Sequence, residues 1–333
     1  MRALLAFASV LLLAAAAARV PERPALRIGT GDHVYDWDTE WPVLPEGMEL
    51  GNTHGCIVTD KAGRVFFNTD SEHAVVVIGA DGVFEKSWGA ELAGGLHGMC
   101  LVEEDGEEFL YLTHIERRAL AKATLDGEIL WSVGYPLASG MYYDPSNYRP
   151  TSVAVAPGGE IFVADGYGKS WVHEYAVDAG VPKWVRSFGG PGDEPGKMNC
   201  PHGLWLDDSG DEPRLVVSDR ENHRLQLFDL EGRYLGLADT DLRRPCHSHR
   251  FQDATAVADL AGRVTLLDAD LEVITHLGEN PHEEQWARND VGRELWTAGY
   301  FIAPHCARWD AEGNLYVMDW VSQGRVTKLR RVR

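Results

Sequence analysis

The stretch PTSVAVAPGGEIFVADGYG, from Pro150 to Gly168, decides the fold because it contains the unit that the chain repeats. Alternating apolar residues predict a first strand, Pro-Gly-Gly predicts a turn, and a second apolar run predicts another strand. Each unit has room for two more strands, and PHCARWDAEGNLYVMDW is a second clear copy. Four strands at a period of 43 to 58 residues predict the blades of a β-propeller. The six copies start at His54, His97, Pro150, Pro201, near Cys246 and at Pro304.

The last repeat predicts how the ring closes. The sixth copy reaches Arg333 without a fourth strand, and the segment ALRIGTGDHVYDW before the first copy can supply one. Pairing the two ends in this way removes exposed sheet edges. We therefore predict an all-β, six-bladed propeller over residues 26–333, with the ring closed by an N-terminal strand.

The charge of the chain excludes one class of partner. The 333 residues carry 51 acidic and 31 basic side chains, for a formal net charge of −20. Nucleic acid binding needs clustered cations, and the only dense basic run is KLRRVR at residues 328–333. We therefore exclude nucleic acid as a partner. Separately, we expect a monomer.

The first 18 residues are typical of a secretory signal peptide. Arg2 precedes an uninterrupted apolar run from Leu4 to Ala17, which ends in the small residues that a signal peptidase needs. The run is short for a membrane span, and an uncleaved anchor is the alternative. No other segment could cross a bilayer. We predict an exported protein, periplasmic or extracellular, whose mature chain has no membrane span.

Each of the five cysteines lies close to the start of a repeat. Cys56, Cys100 and Cys200 lie two or three residues from a histidine, and Cys246 and Cys306 adjoin one. Five cysteines cannot all pair with one another. Three interpretations stay open: a small buried side chain that the repeat requires, a thiolate metal ligand, or a disulfide between neighbouring repeats.

Histidines stand at the start of the second, fourth and sixth repeats, as His97, His202 and His305. Alternate blades of a six-bladed ring lie about 120° apart, so three inward side chains would meet on the axis. Three neutral imidazoles with a fourth position open to water or substrate form a catalytic zinc geometry. We predict that these three residues are zinc ligands.

Other histidines near repeat starts are possible additional channel residues, namely His54, His247 and His249. They could bind a second metal, bind a substrate carboxylate, or line a wet channel, and we favour the channel.

Four longer motifs carry a specific resemblance. FVADGYGKSWVHEY, PHGLWLD, VVSDRENHRLQLFD and PHCARWDAEGNLYVMDW resemble the bacterial relatives of peptidyl-α-hydroxyglycine α-amidating lyase, a six-bladed propeller of the NHL-repeat type. The resemblance runs from about Leu26 to Leu329. It implies a zinc enzyme that cleaves a peptide ending in α-hydroxyglycine into a peptide amide and glyoxylate.

The resemblance also implies roles for single residues. His97, His202 and His305 correspond to the zinc ligands, Tyr167 in DGYG to the catalytic tyrosine, and Arg220 in SDRENHR to an active-site arginine. Zinc can polarise the substrate hydroxyl as a Lewis acid. A tyrosine beside a cation and an arginine can titrate below its usual pKa of about 10 and act as base. The arginine can hold a terminal carboxylate of a small-molecule or peptide substrate.

Three positions depart from the family. No arginine is present at the end of the second strand of the first repeat, which reads Phe67 to Ser71. Cys306 replaces an aspartate that helps to bind a structural calcium, so calcium is not predicted. Gly168 stands where the animal enzymes have a disulfide cysteine.

Two other functions remain as alternatives. One is a non-catalytic NHL propeller that binds a peptide or protein on its loop face, because this fold does not fix function. The other is a different metal-dependent hydrolase, lactonase-like, whose site would rest on carboxylate and Asn ligands for a hard cation.

Overall fold

A computed structural model describes residues 26–332, and the predicted signal peptide, residues 1–18, lies outside them. The described part contains 25 β-strands and short 3-10 helices but no α-helix. Within residues 26–332, we find no helix with the length and apolar character that a membrane crossing requires. The 3-10 helices are Ala90–Leu92, Leu137–Ser139, Pro145–Asn147, Arg220–Asn222, Glu283–Gln285 and Arg293–Leu295.

Six antiparallel sheets form the blades of a ring, which confirms the predicted six-bladed propeller. The first strands of successive blades contact one another all the way round, so they line the central axis. Blade one contains β3 (Ile57–Thr59), β4 (Val65–Asn68), β5 (Val75–Ile78) and β6 (Phe84–Trp88); blade two contains β7 (Leu96–Glu104), β8 (Glu107–His114), β9 (Ala119–Thr124) and β10 (Ile129–Val133). Blade three contains β11 (Ser152–Val155), β12 (Ile161–Ala164), β13 (Trp171–Asp178) and β14 (Val181–Gly189); blade four contains β15 (Pro201–Asp207), β16 (Arg214–Asp219), β17 (Arg224–Asp229) and β18 (Tyr234–Ala238). Blade five contains β19 (Pro245–Phe251), β20 (Ala254–Asp259), β21 (Arg263–Leu267) and β22 (Val273–Leu277); blade six contains β23 (Pro304–Trp309), β24 (Leu315–Asp319) and β25 (Arg325–Arg331).

The N-terminal segment completes blade six. Strand β2 (His33–Asp38) pairs antiparallel with β25, with Trp37 opposite Leu329. The sequence predicts one closing strand, but the structure adds a second, β1 (Leu26–Thr30), which forms a hairpin with β2. Blade six therefore has five strands, and its outer edge comes from the opposite end of the chain.

The core lies between neighbouring blades. One cluster joins blades three and four through Phe162 and Phe228, which are 0% and 1% exposed. Middle strands are buried on both faces in several blades, as in β5 and β21, where every residue is buried. Burial of apolar surface on both sides of every blade is the main force that stabilises the ring.

A buried aspartate ends or directly follows the second strand of blades three to six, at Asp165, Asp219, Asp259 and Asp319. Each accepts backbone N–H groups from the loop that leads into the first strand of its own blade. For Asp319 the donors are the N–H groups of Ile302 and Ala303, both at 2.8 Å. These contacts fix the loops that place the histidines. In blade two, His114 takes the aspartate position opposite Leu96 and accepts the N–H of Arg117.

Candidate metal centre and active site

Four inner strands contain a β-bulge at a histidine. Their register against the neighbouring strand shifts across His97, His202, His247 and His305. A bulge bends the strand and re-aims a side chain, and here it points the imidazoles at the axis. In blade three the equivalent strand has no shift and is preceded by Thr151. The glycine after His202 is needed because a Cβ at Gly203 would lie 2.3 Å from the backbone oxygen of Cys246.

The bulges bring the three predicted zinc ligands together. The ring centroids of His97, His202 and His305 lie 4.7 to 4.9 Å from one another, and all three residues are buried. Three imidazoles around one tetrahedral zinc, with Zn–N of about 2.0–2.1 Å, have centroids roughly 5 Å apart. The triangle therefore has the size that a zinc ion needs.

Each of these histidines is oriented by the next blade. The Nδ1–H group donates to a backbone oxygen: from His97 to Thr151 at 2.6 Å, from His202 to Cys246 at 3.2 Å, and from His305 to Gly55 at 2.8 Å. The lone pair is therefore on Nε2, which is how metal-ligating histidines are held. The Nε2 atoms of His97 and His305 are buried and have no hydrogen-bond partner among the described residues. The donor set fits a zinc ion.

The protonation state also suits metal binding. Burial, together with the neighbouring histidines, holds the pKa values of His97 and His305 well below the ordinary range. Burial likewise lowers the pKa of His202, where Arg220 adds to the effect. Neutral imidazole is the form that ligates metals.

Tyr167 and Arg220 lie beside the triangle. The Tyr167 hydroxyl is 2.9 Å from Nε2 of His202 and accepts a hydrogen bond from Nη1 of Arg220 at 3.3 Å. Gly168 permits the turn, because a Cβ there would lie 2.0 Å from Oδ1 of Asp165. Burial raises the pKa of Tyr167, and Arg220 acts in the opposite direction. The protein groups alone therefore do not acidify this phenol, and a bound cation would have to do so.

A cavity of about 220 Å³ opens onto this group. Arg220 and Arg244 both donate to Oε1 of Glu221, at 2.9 and 2.6 Å, so two guanidinium groups border the same space. Sequence reasoning missed Arg244, although its position before Pro245 matches Arg149 before Pro150. The lining residues are His54, Tyr167, Arg220, Arg244, Leu260, Ala287, His305 and Trp320.

The possible additional channel residues separate into two groups. His54 and His247 join the axial cluster: the His54 ring lies 4.7 Å from that of His97, and the His247 ring lies 5.1 Å from that of His202. Ring nitrogens of His54, His97 and His305 all lie within 4.8 Å of one another, so His54 is a further candidate ligand. His249 lies away from the axis, where its Nδ1 accepts the backbone N–H of Trp309 at 3.3 Å.

Asn68 lies in the stretch where the family has an arginine, and its contacts are structural. Its side chain accepts the backbone N–H of Cys56 at 2.7 Å and donates to the backbone oxygen of Leu96 at 2.6 Å. Asn68 thus ties blade one to blade two and does not border the cavity.

The chain has distant relatives among curated proteins. No protein-family model matches the chain. The chain is 28% identical over 219 residues to NHL repeat-containing protein 3 of Mus musculus, covering 62% of this chain and 60% of that protein. It is 27% identical over 215 residues to a protein named probable peptidyl-alpha-hydroxyglycine alpha-amidating lyase in Caenorhabditis elegans, covering 60% and 58%. Its homologues include NHL-repeat proteins and amidating lyases.

The matches cover only part of these relatives. A match to peptidyl-glycine alpha-amidating monooxygenase B of Xenopus laevis is 25% identical over 239 residues, which is 62% of this chain and 26% of the frog protein. The chain thus spans less than two thirds of the curated relatives it matches. The predicted resemblance to the amidating-lyase family is confirmed, at modest identity and over part of each protein.

Solved structures show the same fold. A gluconolactonase from Xanthomonas campestris has a TM-score of 0.63 and 13% identity, over 93% of this chain and 95% of that one. Virginiamycin B lyase from Staphylococcus aureus has a TM-score of 0.56 and 14% identity, over 86% and 97%. At such identities the likeness concerns the propeller fold alone.

Proposed function

We propose that this protein is a zinc-dependent lyase that cleaves the C–N bond of a peptidyl-α-hydroxyglycine-like substrate to an amide and glyoxylate. The observation that carries the proposal is the triangle of buried neutral histidines, with the Nε2 atoms of His97 and His305 unpartnered within residues 26–332. His202 completes the triangle and contacts Tyr167. Homology to amidating lyases supplies the substrate class.

The cavity supports recognition of a small terminal group. Its volume of about 220 Å³ is below the roughly 300–1,000 Å³ of pockets that enclose a whole drug-sized ligand. The cavity therefore suits the hydroxyglycine end of a peptide, with the rest of the peptide outside it. Arg220 and Arg244 can pair with the terminal carboxylate. The lining within the described residues includes no carboxylate, which disfavours a lactonase-like site for a hard cation.

The reaction needs no co-reactant. The hydroxyl of the substrate loses its proton, its oxygen forms the aldehyde C=O of glyoxylate, the C–N bond breaks, and the amide nitrogen takes up a proton. His97, His202 and His305 would hold zinc, which supplies Lewis acidity toward the hydroxyl oxygen when bound.

The protein's own groups can move the proton. Tyr167 is placed to accept it as phenolate; Arg220, 3.3 Å away, favours that form against the opposing effect of burial, and a cation held by the three histidines would favour it further. Nε2 of His54, 3.3 Å from the same oxygen, helps to hold the phenol in place. The O–H of Tyr167 donates to the lone pair of His202, so ligation of a metal by His202 would free the phenol to face the substrate.

The test combines metal analysis with product detection. We expect purified protein, prepared without chelator, to contain zinc by elemental mass spectrometry and to release glyoxylate from an N-acyl-α-hydroxyglycine above the rate without enzyme. The same compound with its carboxylate converted to an amide should react much more slowly, because it offers no negative charge for the arginines to pair with. A lactone should not be hydrolysed.

Two results would contradict the proposal in different ways. If zinc-loaded protein released no glyoxylate, the metal centre would be supported and the proposed lyase activity would be wrong. Protein that takes up no zinc would leave the non-catalytic binding propeller as the better interpretation.

Replacing Tyr167 by phenylalanine separates chemistry from metal binding. We expect Tyr167→Phe to keep its zinc and to lose about 10²–10⁴-fold in kcat, the usual contribution of a positioned acid–base group. Glyoxylate release and zinc content measure the two effects. Tyr143→Phe is the matched control, because that phenol is 98% exposed. Full activity in Tyr167→Phe would remove the tyrosine from the mechanism.

A further inference from the structure

A second cluster of metal-binding side chains lies beside the histidine triangle. Cys56 precedes β3 of blade one, His247 is in the bulge of blade five, and Cys306 follows His305 in blade six. Sγ of Cys56 and Nε2 of His247 are 3.1 Å apart, and the three ligand atoms all lie within 4.8 Å of one another. The residues are 3%, 6% and 4% exposed.

The imidazole of this cluster is already oriented for a metal. Nδ1–H of His247 donates to the backbone oxygen of His305 at 2.8 Å, so the Nε2 lone pair points at Cys56. This is the carbonyl-held arrangement of ligating histidines. Both cysteines are free thiols.

We propose that Cys56, His247 and Cys306 bind a second zinc ion. It would be separate from the one proposed at His97, His202 and His305. Two thiolates and one imidazole are soft ligands that select zinc over calcium or magnesium. Two thiolates also neutralise the double charge of zinc, which matters in a buried site where an uncompensated charge is costly. The fourth ligand would be a water or a backbone oxygen.

The position of the cluster indicates what the ion does. Cys56 belongs to the first blade and Cys306 to the last, so the two thiolates lie on opposite sides of the boundary between these blades, whose first strands come from opposite ends of the chain. A metal ion there would link the first blade to the last two, and its binding energy would stabilise the closed ring. The site does not depend on the proposed lyase activity.

Cobalt substitution tests this site by a signal that histidine ligands alone do not give. We expect metal-free protein loaded with Co²⁺ to bind two ions per chain and to show sulfur-to-cobalt charge-transfer absorption in the near ultraviolet. In Cys56→Ser and in Cys306→Ser, one ion and this band should be lost. In His97→Ala, one ion should be lost and the band should remain. Cys100→Ser is the control, because that half-buried cysteine has no partner in the cluster.

Circular dichroism on each variant would verify that it is folded. Folded wild-type protein without the charge-transfer band would overturn the proposal. So would a Cys56–Cys306 disulfide found by mass spectrometry of non-reduced peptides. A band that survives both serine variants and disappears in Cys246→Ser would overturn it as well, because Cys246 groups with His202 and His305 instead. Glyoxylate release by protein that lacks the charge-transfer band would overturn the second site and leave the proposed function intact.

Discussion

In the His97→Ala variant, we expect loss of the axial zinc and a fall in the lyase rate of at least about 10³-fold, with the propeller still folded. Lewis-acid stabilisation is worth several kcal/mol, and each 1.4 kcal/mol is a factor of ten in rate. Nε2 of His97 has no hydrogen-bond partner among the described residues, so its loss breaks no contact at that atom. The backbone oxygen of Thr151 loses one donor, at a cost of about 1–3 kcal/mol.

His249→Ala is the matched control for this variant. His249 is also a histidine near the start of a repeat, but it bonds to the backbone of Trp309 away from the axis. Its replacement should cost similar stability and leave zinc and glyoxylate release unchanged. Elemental analysis, glyoxylate assay and circular dichroism on both variants measure the difference. If His97→Ala retained full zinc, or if both variants lost it equally, the three-histidine site would be wrong.

Much of the fold follows from the sequence because a repeat reveals its period. Alternating apolar residues around Pro150 and Pro304 mark inner strands, and six such units close a ring. The fifth strand of blade six was not predicted. Leu26–Thr30 gains its place by pairing with β2, which pairs in turn with β25, and such a long-range contact leaves no local pattern.

The site was predictable only in part. The histidines of alternate blades follow from ring symmetry, and His97, His202 and His305 do meet. The bulges that aim them could not be read from the sequence, because a bulge is a matter of register between two strands. The cluster of Cys56, His247 and Cys306 combines side chains from three blades. The spacing of the cysteines in the sequence did not distinguish among packing, metal ligation and a disulfide as their role.

The buried aspartates link this architecture to the site, and blade four offers the sharpest test. Asp219 is 0% exposed, and its carboxylate accepts the backbone N–H of Asn199 at 2.6 Å and Nε of Arg224 at 2.8 Å. Its second oxygen also accepts from the side chains of Asn222 and Gln226. The loop held at Asn199 leads directly into the strand that carries His202.

Replacing Asp219 by alanine should therefore lower the free energy of unfolding by about 3–5 kcal/mol, because it leaves a buried guanidinium and a buried N–H without an acceptor. Asp229→Ala, at the end of the next strand, β17, is the control: Asp229 pairs with Arg233, whose side chain is 75% exposed, and such pairs contribute about 0–1 kcal/mol. Asp219→Asn, which keeps the shape and one acceptor, should fall between them. Urea unfolding of the three variants gives the order. Equal stability of Asp219→Ala and Asp229→Ala would mean that the aspartate does not hold the loop, and His202 would need another support.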